Sequence, residues 1–166
     1  MKKWIIIVVL VIILLSVAGI WYYLVTKDKR EIRNLVANVC ELFCVKAAKL
    51  PHEGVLKHTK IEEYFSSPVV LRCTEPDITA NWTTDEFKGR FALYQRMVRE
   101  MKISAGYVEV DIADGKAVFS FDADVTGAAS LMKDEFNNVY RINGTAEKKD
   151  GIWKISSMIA EPIVKH

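Results

Sequence analysis

The sequence predicts an α+β domain carried behind a single transmembrane helix. Three observations predict it. An uncharged run extends from Trp4 to Val25, amphipathic helical stripes come after it, and two later segments alternate with period two around Asp-Gly pairs.

The opening run is fenced by Lys2 and Lys3 before it and by Lys27, Lys29 and Arg30 after it. Its 22 residues reach about 33 Å as a helix, enough for a hydrocarbon core of about 30 Å. Trp4 at one end and Trp21, Tyr22 and Tyr23 at the other are the ring types that favour membrane interfaces. A cleaved signal peptide is the competing reading, because Ser16-Val17-Ala18 resembles a cleavage site. The apolar character resumes at Ile20 and continues to Val25, which favours an uncleaved anchor. Residues 1–26 are thus expected to form a short tail and anchor in the cell membrane, and 27–166 the domain. Cations counted on each side of the run mildly favour a domain inside the cell, whereas a three-residue basic tail suits a signal anchor that exports the chain beyond it. An extracytoplasmic domain is the expectation adopted.

Without Lys2 and Lys3, the 23 basic residues become 21, equal to the 21 acidic ones. A neutral domain has no field for drawing in nucleic acid, which excludes that partner class. Three cysteines, Cys40, Cys44 and Cys73, read as small core residues, with a bridge from Cys73 to Cys40 or Cys44 as the alternative. No Cys/His spacing suits a metal site, and no cofactor is expected.

From Arg30 to Leu50, Ile32, Leu35, Val36, Val39, Phe43, Ala47 and Leu50 recur at three- and four-residue steps, predicting a helix closed by Pro51. A short helix is expected around Thr59 to Phe65, ended by Ser66-Ser67-Pro68, and an extended piece at Val69 to Leu71, stopped near Pro76. Thr83 and Glu86 make a capping box, with Trp82 and Phe87 as its hydrophobic staple. The helix they open is predicted to reach Lys102, with Phe87, Phe91, Tyr94, Val98 and Met101 along one stripe.

Val108, Val110 and Ile112, then Ala117, Phe119, Phe121, Ala123 and Val125, alternate around Asp114-Gly115. Pairing Ala113 with Lys116 places Ile112 opposite Ala117, Val110 opposite Phe119 and Val108 opposite Phe121. Around Asp150-Gly151, pairing Lys149 with Ile152 sets Glu147 opposite Lys154 and brings Trp153, Ile155 and Ile159 onto one face with Ala146 and Ile142. Gly127 to Asn138 reads as a connection, either a helical turn or a bent strand.

The helix from Thr84, the hairpin from Tyr107 to Val125 and the closing Asp150-Gly151-Ile152-Trp153-Lys154-Ile155 are similar to the nuclear transport factor 2-like, or SnoaL-like, superfamily. The resemblance covers about Arg30 to Ile163. It implies a curled antiparallel sheet wrapped on N-terminal helices as a cone, a pocket at the open end, and frequent dimerisation. Enzymatic members place an Asp or His, often with a Tyr, in that pocket; many members only bind or scaffold.

The interior candidates are Tyr94, Phe119, Phe121, Tyr140 and Trp153, which describe an apolar pocket lining rather than a reaction. Glu109, Asp111, Asp122 and Asp124 alternate with the apolar residues, so they are expected on a solvated outer face with Tyr107, placed opposite Asp122, and Arg141. None of His52, His58 and His166 falls on an expected strand. No catalytic residue is assigned. The expected function is a non-enzymatic, membrane-anchored binding or scaffold domain that assembles with itself or with a membrane-complex partner. The alternative is a SnoaL-like enzyme or carrier for a small apolar ligand. The architecture also resembles the inner-membrane scaffold component of type IV secretion systems.

Overall fold

The computed structural model describes residues 2–46, 53–129 and 135–163. Helix α1 spans Lys2–Phe43, α2 Glu53–Tyr64 and α3 Thr84–Met97. Strands are β1 Phe65–Thr74, β2 Asp77–Trp82, β3 Val98–Ala105, β4 Glu109–Ala113, β5 Lys116–Ala129, β6 Glu135–Lys149 and β7 Ile152–Pro162. The sheet order is β2-β1-β7-β6-β5-β3, with β4 also paired to β5.

Helix α1 joins the opening run to the domain without a break. Most side chains of the span expected from Trp4 to Val25 lie outside the described residues. Among the described residues, no helix is long and apolar enough to cross a membrane. Further along α1, Ile32, Leu35, Val36, Val39 and Leu42 are buried against the sheet, as their spacing predicts. The helix stops at Phe43, short of the expected Leu50, because the N–H and C=O of Val45 both bond to Met101, each at 2.8 Å. That exchange replaces helical pairing with a β-bridge. Ala47, Leu50 and Pro51 lie outside the described residues.

Both Asp-Gly hairpins form in the expected registers, Ala113 opposite Lys116 and Lys149 opposite Ile152. Asp114 and Asp150 take φ of 50° and 52° and the following glycines 71° and 80°, the two successive left-handed positions of a type I′ turn. Glu147 faces Lys154 as expected.

Several expectations are corrected. The helix from Thr84 ends at Met97, and Val98, Met101 and Ile103 belong to a strand. Their spacing suits either structure, and pairing with Ala123–Ala129 of the long β5 decides it. Strand β2 was not expected: it is a mostly exposed edge strand whose short alternation, Ile78, Ala80 and Trp82, runs straight into the helix cap at Thr83. Strand β1 starts at Phe65, which the second helix was expected to include, and β1 runs through Pro68 to Thr74. It pairs parallel with β7, so the sheet is mixed, not wholly antiparallel. The β4–β5 ladder begins at Glu109 opposite Ser120, so Tyr107 and Val108 lie just before it and the pairs expected for them are not part of it; on the other edge of β5, toward β6, Asp122 pairs with Arg141. The connection expected from Gly127 is strand at Ala128 and Ala129 and again from Glu135; Ser130, Leu131 and Met132 lie outside the described residues.

A bulge in β7 makes the last correction. The register shifts between Thr145 and Ala146, with Ala146 opposite Ile155 and Thr145 opposite Ser157. Ser156 is the extra residue, and its hydroxyl lies 2.9 Å from Thr145 Oγ1. Because side chains alternate with period two, the bulge turns Met158 and Ala160 toward the core in place of Ile159.

Three contacts orient the cone along α1. Asp28 bonds Lys148 and Trp153 beside the β6–β7 turn; Arg33 bonds the Val108 carbonyl; Val45 bonds Met101. Along β5, Lys116 faces Glu147, Ala123 faces Ala105 and Gly127 faces Met101. Helix α1 and β5 therefore progress together, with both Asp-Gly turns at the end where α1 enters the domain. Strands β1 and β7 run parallel away from that end, so the β1–β2 turn lies at the opposite one.

Candidate functional site

At the far end of the cone, β1, β2, β6 and β7 and the last residue of α1 surround an apolar pocket of about 260 Å³. Leu71 and Cys73 of β1 reach it by alternation, as do Ile78, Ala80 and Trp82 of β2. Met158 and Ala160 reach it through the β7 bulge, while Ile142 and Phe43 complete its wall. Arg72 also lines it, with Nε 3.3 Å and Nη2 3.2 Å from Asp77 Oδ1. Among the described residues lining the pocket there is no carboxylate and no histidine.

The floor beneath is an aromatic cluster tying α1, α3 and the start of β1 together. Phe43 meets Phe91 and Tyr94 edge-on at 5.5 and 5.8 Å, and Phe65 meets Phe87 at 4.8 Å. The Tyr94 hydroxyl donates to the Phe43 carbonyl and lies 2.9 Å from Met101 Sδ. Burial, reinforced by nearby Cys44, pushes the Tyr94 phenol above its ordinary value. Its position ends α1 and joins it to β3; the hydroxyl is engaged by the fold itself.

None of the five expected lining residues is in the wall of this pocket. Phe119, Phe121 and Trp153 are buried in the core, and Tyr94 and Tyr140 are half-buried against it. Phe119 lies over Gly144, its cross-strand partner: a Cβ added there would stand 2.3 Å from the ring. The alternations Leu71-Cys73 and Ile78-Ala80-Trp82 were the available signal for the pocket. The contribution of Met158 and Ala160 depends on a bulge that spacing did not reveal.

A second, larger concavity of about 730 Å³ lies on the outside between α1, α2 and the β6–β7 turn. Glu31, Asn34 and Asn38 stand on one wall, Glu62 and Glu63 on another, and Ile152 and Trp153 at its end. Lys88 pairs with Glu62 and holds that carboxyl below its ordinary value.

Glu109, Asp111, Asp122 and Asp124 are exposed, as the alternation predicts. Asp122 accepts from Arg141 Nε at 2.6 Å and Nη2 at 3.1 Å, which lowers its carboxyl's pKa. His58 packs its ring edge-on against Phe91 at 5.9 Å, while His52 and His166 lie outside the described residues. Cys40, Cys44 and Cys73 are free, so the alternative bridge is absent. Among the described residues, no group of three His, Cys, Asp or Glu side chains is placed to hold a metal.

No family model and no curated protein matches the sequence. Solved structures do match in shape. A nuclear transport factor 2-like superfamily protein from Salmonella enterica aligns at a TM-score of 0.67 and 11% identity, over 84% of this chain and 94% of that one. A putative scytalone dehydratase from Novosphingobium aromaticivorans gives 0.67 and 12%, over 84% and 86%. LinA gives 0.63 and 12%, over 84% and 88%. The similarity is one of shape, and the domain has the α+β nuclear transport factor 2-like fold, a curled mixed sheet closed by helices.

Proposed function

We propose that this chain is a single-pass, membrane-tethered binding or scaffold domain whose cone opens away from the bilayer. The observation that carries the reading is the continuity of α1, in which one helix contains the Trp4 to Val25 run and also supplies the cone's inner wall from Ile32 to Phe43. Phe43, at the pocket, lies 18 residues beyond Val25, about 27 Å along the helix. At that height a lipid sliding out of the bilayer does not meet the pocket. An apolar side chain of a neighbouring protein, or of a second copy, can.

The apolar lining supports binding over chemistry, because general acid-base catalysis needs a titratable group within reach of the reacting atom. A small apolar ligand carried from the far side is the second reading, favoured by the same lining. Cross-linking the full chain in its native membrane and identifying the adducts by mass spectrometry tests the first reading. The expected result is a reproducible partner or a self-adduct through residues near Ile78. Repeated absence of both, with an apolar small molecule co-purifying, would establish the carrier instead. Protease added to sealed vesicles of known sidedness tests the expected extracytoplasmic placement.

A further inference from the structure

We propose that the tips of the two Asp-Gly hairpins rest in the phospholipid headgroup layer, with Ile152 as the apolar contact and Lys116 and Lys149 as cations for lipid phosphates. The inference rests on the tether reading and adds which end of the domain meets the bilayer and through which groups.

Asp28 follows Val25 by three residues, about 4.5 Å along the helix, which is within the polar layer of a leaflet. Its Oδ1 accepts from Lys148 Nζ at 2.6 Å and from Trp153 Nε1 at 3.2 Å. Those residues flank the β6–β7 turn. The Lys148 N–H donates to the Gly115 carbonyl at 3.2 Å, so the β4–β5 turn lies beside it. Because α1 and β5 progress together from that end, both turns point back along α1 toward Val25.

Ile152 is 59% exposed at this end, an apolar side chain that the domain itself leaves uncovered. Lys116 and Lys149 are exposed beside it, and Lys29 and Arg30 stand on α1 just beyond the Trp4 to Val25 run, next to Lys27, which pairs with Glu31 at 3.7 Å. The acids nearby are accounted for locally. Asp28 is engaged by Lys148 and Trp153, and Glu147 lies in register between Lys116 and Lys154. Asp114 and Asp150 hold the left-handed turn positions that favour Asp. Lysine near an anionic surface gains attraction that falls off within a Debye length, so only residues this close to the bilayer benefit.

The test uses the full chain in nanodiscs of phosphatidylcholine and phosphatidylglycerol, with Cys73→Ala to remove a native labelling site. A fluorophore is placed at Ile152→Cys or, for the far end, at Ile78→Cys, and read against the same chain without the added cysteine. The label at 152 should be quenched by a lipid-borne quencher and shielded from aqueous iodide, and the label at 78 the reverse. Lys149→Glu should weaken that shielding by at least about fivefold, the worth of one basic residue at an anionic surface. Equal access of iodide to both labels, in a chain that resists alkaline extraction, would overturn the hairpin contact and leave the tether standing. Full shielding that Lys149→Glu does not alter would overturn the role of the lysines. A chain stripped by alkaline washing would overturn the tether, and this inference with it.

Discussion

Asp28 and Lys148, 120 residues apart in the chain, meet at 2.6 Å and fasten the start of the domain's first helix to the far hairpin of its sheet. Trp153 donates its indole N–H to the same carboxylate oxygen and lies under the Lys148 ammonium, 5.5 Å from it. Partial burial raises the carboxyl's pKa, but the hydrogen bonds from Lys148 and Trp153 and the charges of Lys148 and Lys27 outweigh it, so the net shift is downward. A lowered folded-state pKa means that the stabilisation is present above the unfolded carboxyl's pKa and lost as pH falls through the folded value. Asp28→Ala should therefore cost roughly 1 kcal/mol at neutral pH. The difference between wild type and variant should shrink as pH drops below about 4. Chemical denaturation at neutral and acid pH checks both parts.

Gly144 exists to make room for Phe119. The ring is 1% exposed and sits where a Cβ would be, so it cannot swing out cheaply. Gly144→Ala should destabilise by about 1–3 kcal/mol through overpacking. In a Phe119→Leu background the same change should cost clearly less, giving a coupling energy in a double-mutant cycle measured by urea unfolding.

Thr83 caps α3 in both directions: its Oγ1 accepts from the Glu86 N–H, and its own N–H donates to Glu86 Oε2 at 2.9 Å. Trp82 and Phe87 close the staple with ring centroids 5.8 Å apart. Thr83→Ala should cost about 1 kcal/mol. Thr83→Ser, which keeps the hydroxyl, should recover most of it in the same thermal-melt comparison.

Cys40 is buried, and desolvation with help from nearby Cys44 pushes its thiol up to about 11. Only about one molecule in ten thousand then carries the reactive thiolate at neutral pH. Under native conditions Cys40 should alkylate last of the three cysteines, and in denaturant it should react as fast as the others. Time-resolved alkylation read by peptide mass spectrometry distinguishes these outcomes.

Local chemistry was the legible part of this chain. The two Asp-Gly turns, the Thr83 capping box and the core stripe from Ile32 to Val39 each depend on residues a few positions apart, and each forms as spacing predicts. The features that escaped depend on distant partners. Val98 to Ala105 is a strand because β5 is long enough to pair with it after β4 ends. The parallel pairing of β1 with β7 leaves no mark in either segment. For the site the same rule held: Trp82 and Cys73 were visible as residues, but the pocket arises where β2, an edge strand, and the β7 bulge meet. Of the aromatic residues expected to line it, Phe119, Phe121 and Trp153 are buried in the core, Phe119 against Gly144.

The central claim, that α1 is at once a membrane span and the wall of the cone, is tested most directly by washing membranes that contain the full chain with alkaline carbonate. The chain should stay in the membrane pellet and leave it only with detergent. Quantitative release into the wash without detergent would contradict the claim.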